Sequence, residues 1–177
     1  MSAGPWPVEI RSLSAGELAP VLPDLAGLLQ DAVAAGASVG FLPPLADTEA
    51  LTYWQSVADA VQTGSRRLWA AWRGPALAGT VQLGLVTWPN GRHRAEVMKL
   101  LVHRAARRQG LGRALMLTVE AAARELGRTT LVLDTLAGEP AELLYASLGW
   151  TRAGLIPHYA RHTDGQLHPT VVYYKLL

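Results

Sequence analysis

The sequence predicts a mixed α/β (α+β) fold. One twisted, mostly antiparallel sheet of about seven strands holds a central parallel pair, with about four helices packed around it. Three observations predict this. Periodicity and turn signals give the order strand, two helices, three strands, helix, strand, helix, two strands. The apolar run Val97–Val102, broken only by Lys99, leads through a glycine turn into a long amphipathic helix. A second short apolar run, Thr130–Asp134, follows that helix, which makes the two strands parallel and joins them by a right-handed crossover.

Each element has its own signature. Val8–Leu13 alternates apolar and polar residues, as a half-buried first strand does. Ala15–Ala35 is rich in Leu and Ala and reads as helical from about Leu22, after Pro20. Gly36–Phe41 is a glycine-flanked loop, and Pro43-Pro44 delays the next helix. That helix runs to about Gln62, with Asp47 as its expected cap and Leu51, Trp54, Val57, Ala58 and Val61 on one face. Arg67–Trp72 and Leu77–Thr87 form a hairpin about Arg73–Ala76, and Trp88-Pro89-Asn90-Gly91 turns the chain into Val97–Val102. An apolar run of that kind suits a strand buried on both faces. Leu111, Leu115, Val119, Ala122 and Leu126 make the apolar face of the long helix, and Gly127 stops it. Pro140 suits the first turn of the last helix, and Gly149 ends it. Trp150–Ile156 and Thr170–Lys175 close the sheet about the turn Thr163–Gln166. The tryptophans at 54, 69, 72, 88 and 150 read as core.

The chemistry concentrates at Arg107-Arg108-Gln109-Gly110-Leu111-Gly112-Arg113. A glycine turn opening a helix presents N–H groups without intrahelical partners at the positive end of the dipole, so a phosphate or pyrophosphate fits there. From Arg92 to Arg113 there are seven Lys or Arg and one acid, Glu96. The turn lacks the Gly-Lys-Ser/Thr ending of a P-loop and the third glycine of a dinucleotide fingerprint.

With 177 residues, 50% hydrophobic and 17% charged, the chain reads as a single domain, 1–177, able to bury a substantial core. The net charge is only +2, so the basic isoelectric point reflects one anion site more than a nucleic-acid surface. The absence of cysteine excludes disulfides, thiolate metal sites and a cysteine nucleophile. No signal peptide or apolar run of membrane-spanning length is seen, so the expected location is cytoplasmic, without a membrane partner. His93 and His103 flank the central strand without metal-ligand spacing, and no metal is assigned.

Arg107-x-x-Gly110-x-Gly112 resembles motif A of the GNAT acetyltransferase superfamily, and Ala141-x-x-x-Tyr145-x-x-x-Gly149-Trp150 resembles its motif B. The element order is that of the superfamily. The segments Gly36–Phe41, Arg94–Leu100, Leu133–Gly138 and Asp164–Lys175 are further similar to the tabtoxin-resistance acetyltransferases, which inactivate a β-lactam amino-acid toxin by acetylating it. The likeness runs from about Leu28 to the C-terminus.

The resemblance implies a GNAT fold splayed at its parallel pair, with acetyl-CoA as co-substrate. Leu101, Val102, Arg107, Arg108, Gln109, Gly110, Leu111, Gly112 and Arg113 are then expected to bind the cofactor. Acetyl transfer needs a neutral amine, whereas an ammonium has a pKa near ~10, so a base is required. Glu96, six residues before Val102, occupies the offset of the family's base glutamate; a surface role beside Arg94 or Lys99 is the alternative. Asp134, at the carboxyl edge of its strand, is a second candidate for binding or deprotonating the amine, or a plain loop aspartate. Tyr145 is the candidate acid for the CoA thiolate. Gly138 stands where many members carry an asparagine that contacts CoA, so that contact is absent. Phe41 and His168 are candidates for the acceptor site, and His158 and Tyr159 lie near it in sequence. The expected activity is acetylation of a small amino-acid-like amine by direct attack, in a monomer or homodimer. Two rivals remain. A non-catalytic acyl-CoA sensor would keep its effect in Glu96→Gln and Tyr145→Phe. A nucleic-acid module would lose affinity steeply with salt and ignore CoA.

Overall fold

The computed structural model describes residues 7–177; the first six residues of the expected domain lie outside them. The elements are β1 (Val8–Ser12), α1 (Ala15–Leu18), α2 (Leu22–Ala34), α3 (Asp47–Gln62), β2 (Arg66–Arg73), β3 (Ala76–Leu85), β4 (Arg94–Val102), α4 (Leu111–Glu125), β5 (Thr130–Leu136), α5 (Ala141–Ser147), β6 (Thr151–Arg161) and β7 (Leu167–Leu176). They form one seven-stranded sheet in the order β1-β2-β3-β4-β5-β7-β6, in which only β4 and β5 are parallel. The expected mixed sheet and its parallel pair are both present.

Two cores sandwich the sheet. On one face Ala95 and Val97 of β4 and Leu131 and Leu133 of β5 pack with Leu111, Leu115, Met116, Val119 and Ala123 of α4, and with Tyr145 and Trp150. On the other, α1, α2 and α3 bury Leu18, Leu25, Leu29, Trp54 and Val57 against Leu68, Ala70 and Trp72 of β2. Gly79 lets α4 settle onto the sheet: a Cβ there would lie 2.7 Å from the Leu101 carbonyl oxygen and 3.1 Å from Leu115 Cδ1. Of the face expected for α4, Leu111, Leu115, Val119 and Ala122 pack here, whereas Leu126, just past the helix end, is exposed.

Several local expectations are corrected. The α3 cap is Ala46; Asp47 is the first helical residue, and its carboxylate accepts from Gln30 Nε2 at 2.6 Å, tying α3 to α2. The stretch before Leu22 holds the one-turn helix α1, closed by a capping box between Ser14 and Glu17. Trp88 is 75% exposed in its turn, while the other four tryptophans expected in the core are buried. The closing strands are longer than expected because they pair as a long hairpin that carries Tyr159 and His168 with it.

β4 departs most from expectation. It alternates buried and exposed residues from Arg94 to Val97, then becomes half-buried from Met98 to Leu100, so it is not covered on both faces. Its pairing with β3 shifts between Thr80 and Gln82, and Lys99 takes a left-handed φ of 48°. This bulge adds one residue and exchanges the faces of the strand. Before it Ala95 and Val97 face the α4 core; after it Leu100 and Val102 do, and Leu101 joins the opposite core.

Candidate active site

β4 and β5 pair only through Arg94–Glu96 against Thr130–Val132. Beyond Glu96 the strands part, because β5 continues along β7 while the bulge redirects β4. The gap becomes a cleft of about 390 Å³, lined by Ala37–Gly40, Glu96–Leu100, Asp134–Leu136, Glu139, Ala141, Tyr145, Tyr159 and Ala160. All three expected catalytic residues, Glu96, Asp134 and Tyr145, therefore share one cavity.

Strand alternation turns Glu96 and Asp134 away from the α4 core, toward the loop Ala37–Gly40. Burial pushes the Glu96 carboxyl above the usual range, and the Asp134 charge adds to this; Arg66 and Lys99 oppose it without cancelling it. The Thr170 hydroxyl lies 2.9 Å from Asp134 Oδ2 and 2.8 Å from the Thr135 carbonyl oxygen, with one proton to give. Tyr145 is packed between Trp150 and Tyr173, at centroid distances of 6.1 and 5.7 Å. Burial, then the charge of Asp134 and the presence of Tyr173, push its phenol up to about 12, so it holds its proton at neutral pH.

Sequence reasoning gave Lys99 no role of its own in the cleft. Its ammonium lies 5.6 Å from the Tyr53 ring centroid, under Gly40. Burial and then Arg66 lower its pKa, against the pull of Asp134 and Glu96. The available signal was a lone charge inside an apolar strand.

The glycine turn opens α4, as expected. Gly110 is the N-cap of α4 at φ 80°, and no side chain caps it. The first intrahelical bond recorded there is Ala114 N–H to the Gly110 carbonyl, which leaves the N–H groups of Leu111, Gly112 and Arg113 for another acceptor. Uncapped donors in a turn that carries Arg107, Arg108 and Arg113 fit a pyrophosphate, so the residues present suit CoA. Asp31 of α2 braces the turn: it accepts from the Arg104 backbone N–H at 3.0 Å and from its guanidinium, with His103 at 3.7 Å and Arg107 at 4.0 Å. Arg73 donates to the Gln109 side chain, and Arg113 to Ser147 Oγ at 3.3 Å, joining α4 to α5.

Just past β4 the His103 N–H donates to the Ala78 carbonyl, so alternation turns the backbone groups of Leu101 toward β3 and those of Val102 outward. The Val102 carbonyl accepts from Arg107 Nε at 3.0 Å.

The acceptor candidates are separated. Phe41 packs edge-on against Tyr53 at 5.4 Å and lines a neighbouring groove with Thr48, Glu49 and Thr52, outside the cleft. His168 is also outside, at the β6–β7 hairpin tip, with Nε2 2.7 Å from Asp164 Oδ2. Tyr159 does line the cleft.

Comparison with known proteins matches this geometry. Residues 37–150 match the acetyltransferase (GNAT) family. N-acetyltransferase 8 of Rattus norvegicus is 38% identical over 88 residues, 49% of this chain; the match spans 40% of that relative's length. A ribosomal-protein-alanine N-acetyltransferase from Brucella melitensis is similar in structure, with a TM-score of 0.79 at 23% identity over 96% of this chain and 99% of that one. The structure of yncA from Salmonella typhimurium with its cofactor acetyl-CoA gives a TM-score of 0.77 at 20% identity over 97% and 94% of the two chains. With both motifs on one splayed sheet, the chain belongs to the acetyltransferase (GNAT) family.

Proposed function

We propose that this chain acts as one acetyltransferase domain that moves the acetyl group of acetyl-CoA directly to an amine of a small amino-acid-like molecule. The observation that carries this is the gathering of Glu96, Asp134 and Tyr145 around one 390 Å³ cleft at the parting of β4 and β5. Val102 and the turn Arg107–Arg113 hold the cofactor, which supplies the acetyl group as a thioester. Leu101 supports the site from the opposite core rather than through free backbone groups.

Glu96 is the base for the acceptor ammonium. Its raised pKa strengthens it in that role, while Asp134 holds the positive charge beside it. The outward N–H of Val102 is placed for a developing oxyanion. Tyr145, protonated at neutral pH, donates at the thiol end of the cleft. The loop Ala37–Gly40, which lines one side of the cleft, favours a small acceptor, in keeping with the toxin-inactivating subfamily that the sequence resembles. Among the described residues no helix is long and apolar enough to cross a membrane, which is compatible with a cytoplasmic role.

Thiol release from acetyl-CoA over a panel of amino acids, amino-acid-like antibiotics and N-terminal peptides tests this. Turnover on a small amine that falls 10²–10⁴-fold in Glu96→Gln supports it. Turnover on peptides alone, or unchanged turnover in Glu96→Gln, overturns it.

A further inference from the structure

The β6–β7 hairpin tip gathers two histidines and a carboxylate well outside the transfer residues. One ligand atom each from His162, Asp164 and His168 lies within 4.8 Å of the other two. The backbone holds the tip in place. His162 N–H donates to the Gln166 carbonyl at 2.9 Å, and Gly165 N–H to the His162 carbonyl at 2.9 Å. The Gln166 N–H donates to Asp164 Oδ1 at 2.9 Å, which aims Oδ2 at His168 Nε2, 2.7 Å away. The His162 and His168 rings stand 5.1 Å apart, centre to centre.

His162 also has the support that metal-bound histidines require. Its Nε2 lies 2.9 Å from the Gly36 carbonyl oxygen, which can only accept. Nε2 therefore carries the proton, and Nδ1 holds the ring's lone pair; it accepts from Thr163 Oγ1 at 3.1 Å, a bond that a cation would displace. A ring N–H on a backbone carbonyl is the usual outer-shell partner of a metal histidine.

We propose that His162, Asp164 and His168 form a binding site for a borderline divalent transition cation, of which Zn²⁺ is the best fit. Ligand atoms about 2.1 Å from Zn²⁺ in a tetrahedral site lie roughly 3.4 Å apart, so closure needs side-chain shifts on the order of 1 Å. Two imidazoles and one carboxylate suit Zn²⁺, Co²⁺ or Ni²⁺; Mg²⁺ and Ca²⁺ prefer oxygen donors. Three protein ligands leave a coordination position for water. Through Gly36, the cation would fix the start of the loop Ala37–Gly40 that lines the cleft.

The test is titration of tag-free, chelator-treated protein with Co²⁺, followed by visible absorption and calorimetry, with Zn²⁺ as competitor. One equivalent of Co²⁺ that Zn²⁺ displaces is expected. Affinity should fall tenfold or more in each of His162→Ala, Asp164→Asn and His168→Ala, and stay unchanged in His93→Ala. In wild type alone, Zn²⁺ at a hundredfold excess over Kd should raise Tm by about 5 °C or more. No binding at millimolar metal overturns the site. So does binding that survives all three substitutions.

Discussion

Lys175→Met tests the buried joint between the two halves of the site. Glu120 of α4 is 2% exposed, with Oε2 at 2.6 Å from Lys175 Nζ on β7 and Oε1 accepting from Trp150 Nε1 at 2.8 Å. Lys175 Nζ also donates to the Leu148 carbonyl at 2.6 Å. The cluster thus bolts α4 to the segment that follows Tyr145. Methionine keeps the length and apolar stem of the lysine but strands the carboxylate in a dry core. Breaking a buried pair in this way costs about 3–5 kcal/mol. The retained Trp150 N–H and the partial exposure of Lys175 favour the lower end, about 3 kcal/mol. For a chain of this size that is a Tm loss of roughly 6–12 °C. In Glu120→Gln/Lys175→Met the charge is gone and the amide oxygen still accepts from Trp150, so the double variant should lose only about 1–2 kcal/mol. Urea and thermal unfolding of the four proteins form the cycle. A single variant within 1 kcal/mol of wild type, or a double variant less stable than Lys175→Met, would refute the reasoning.

Three further outcomes follow from the cleft and its brace. As a base Glu96 acts ionised, so kcat/KM should rise with pH through its raised pKa; Asp134→Asn removes one cause of that elevation and should move this acid limb to lower pH, and a limb that stays put sinks the coupling. Tyr145→Phe should lower kcat by about 10²-fold or more at neutral pH with little change in Tm, and an unchanged kcat would remove Tyr145 as the acid. Burial would raise the Asp31 carboxyl, but the Arg104 N–H and guanidinium and the charge of His103 outweigh it and hold the pKa low. Its contribution to stability is therefore complete above the unfolded value near ~3.9 and lost as pH falls through the lower folded value. Asp31→Asn should raise the acetyl-CoA KM at neutral pH by loosening the turn, and an unchanged KM would show that the turn holds itself.

The order of elements along the chain, the glycine turn and the long helix were legible because each is a local pattern. The spacing of Leu111, Leu115 and Val119 marks a helix face wherever it packs, and Gly110 marks a left-handed cap before any ligand is considered. Glu96, Asp134 and Tyr145 were found through their offsets from those elements. Phe41 and His168 lie outside the cleft because loops and hairpin tips take their positions from what they pack against: Tyr53 captures Phe41, and Asp164 captures His168. Trp88 misled because its bulk suggested burial that its turn does not provide.

By itself the sequence determined most of the strands and helices, the place of the glycine turn that opens α4, and that no cysteine chemistry is available. Tertiary structure alone decided the bulge at Lys99, the parting of β4 from β5, the burial that raises Glu96 and Tyr145, and the meeting of His162 with Gly36. The reason is physical. Periodicity and turn propensity act over a few residues, whereas register, desolvation and charge coupling depend on groups far apart in the chain that only the folded sheet brings together.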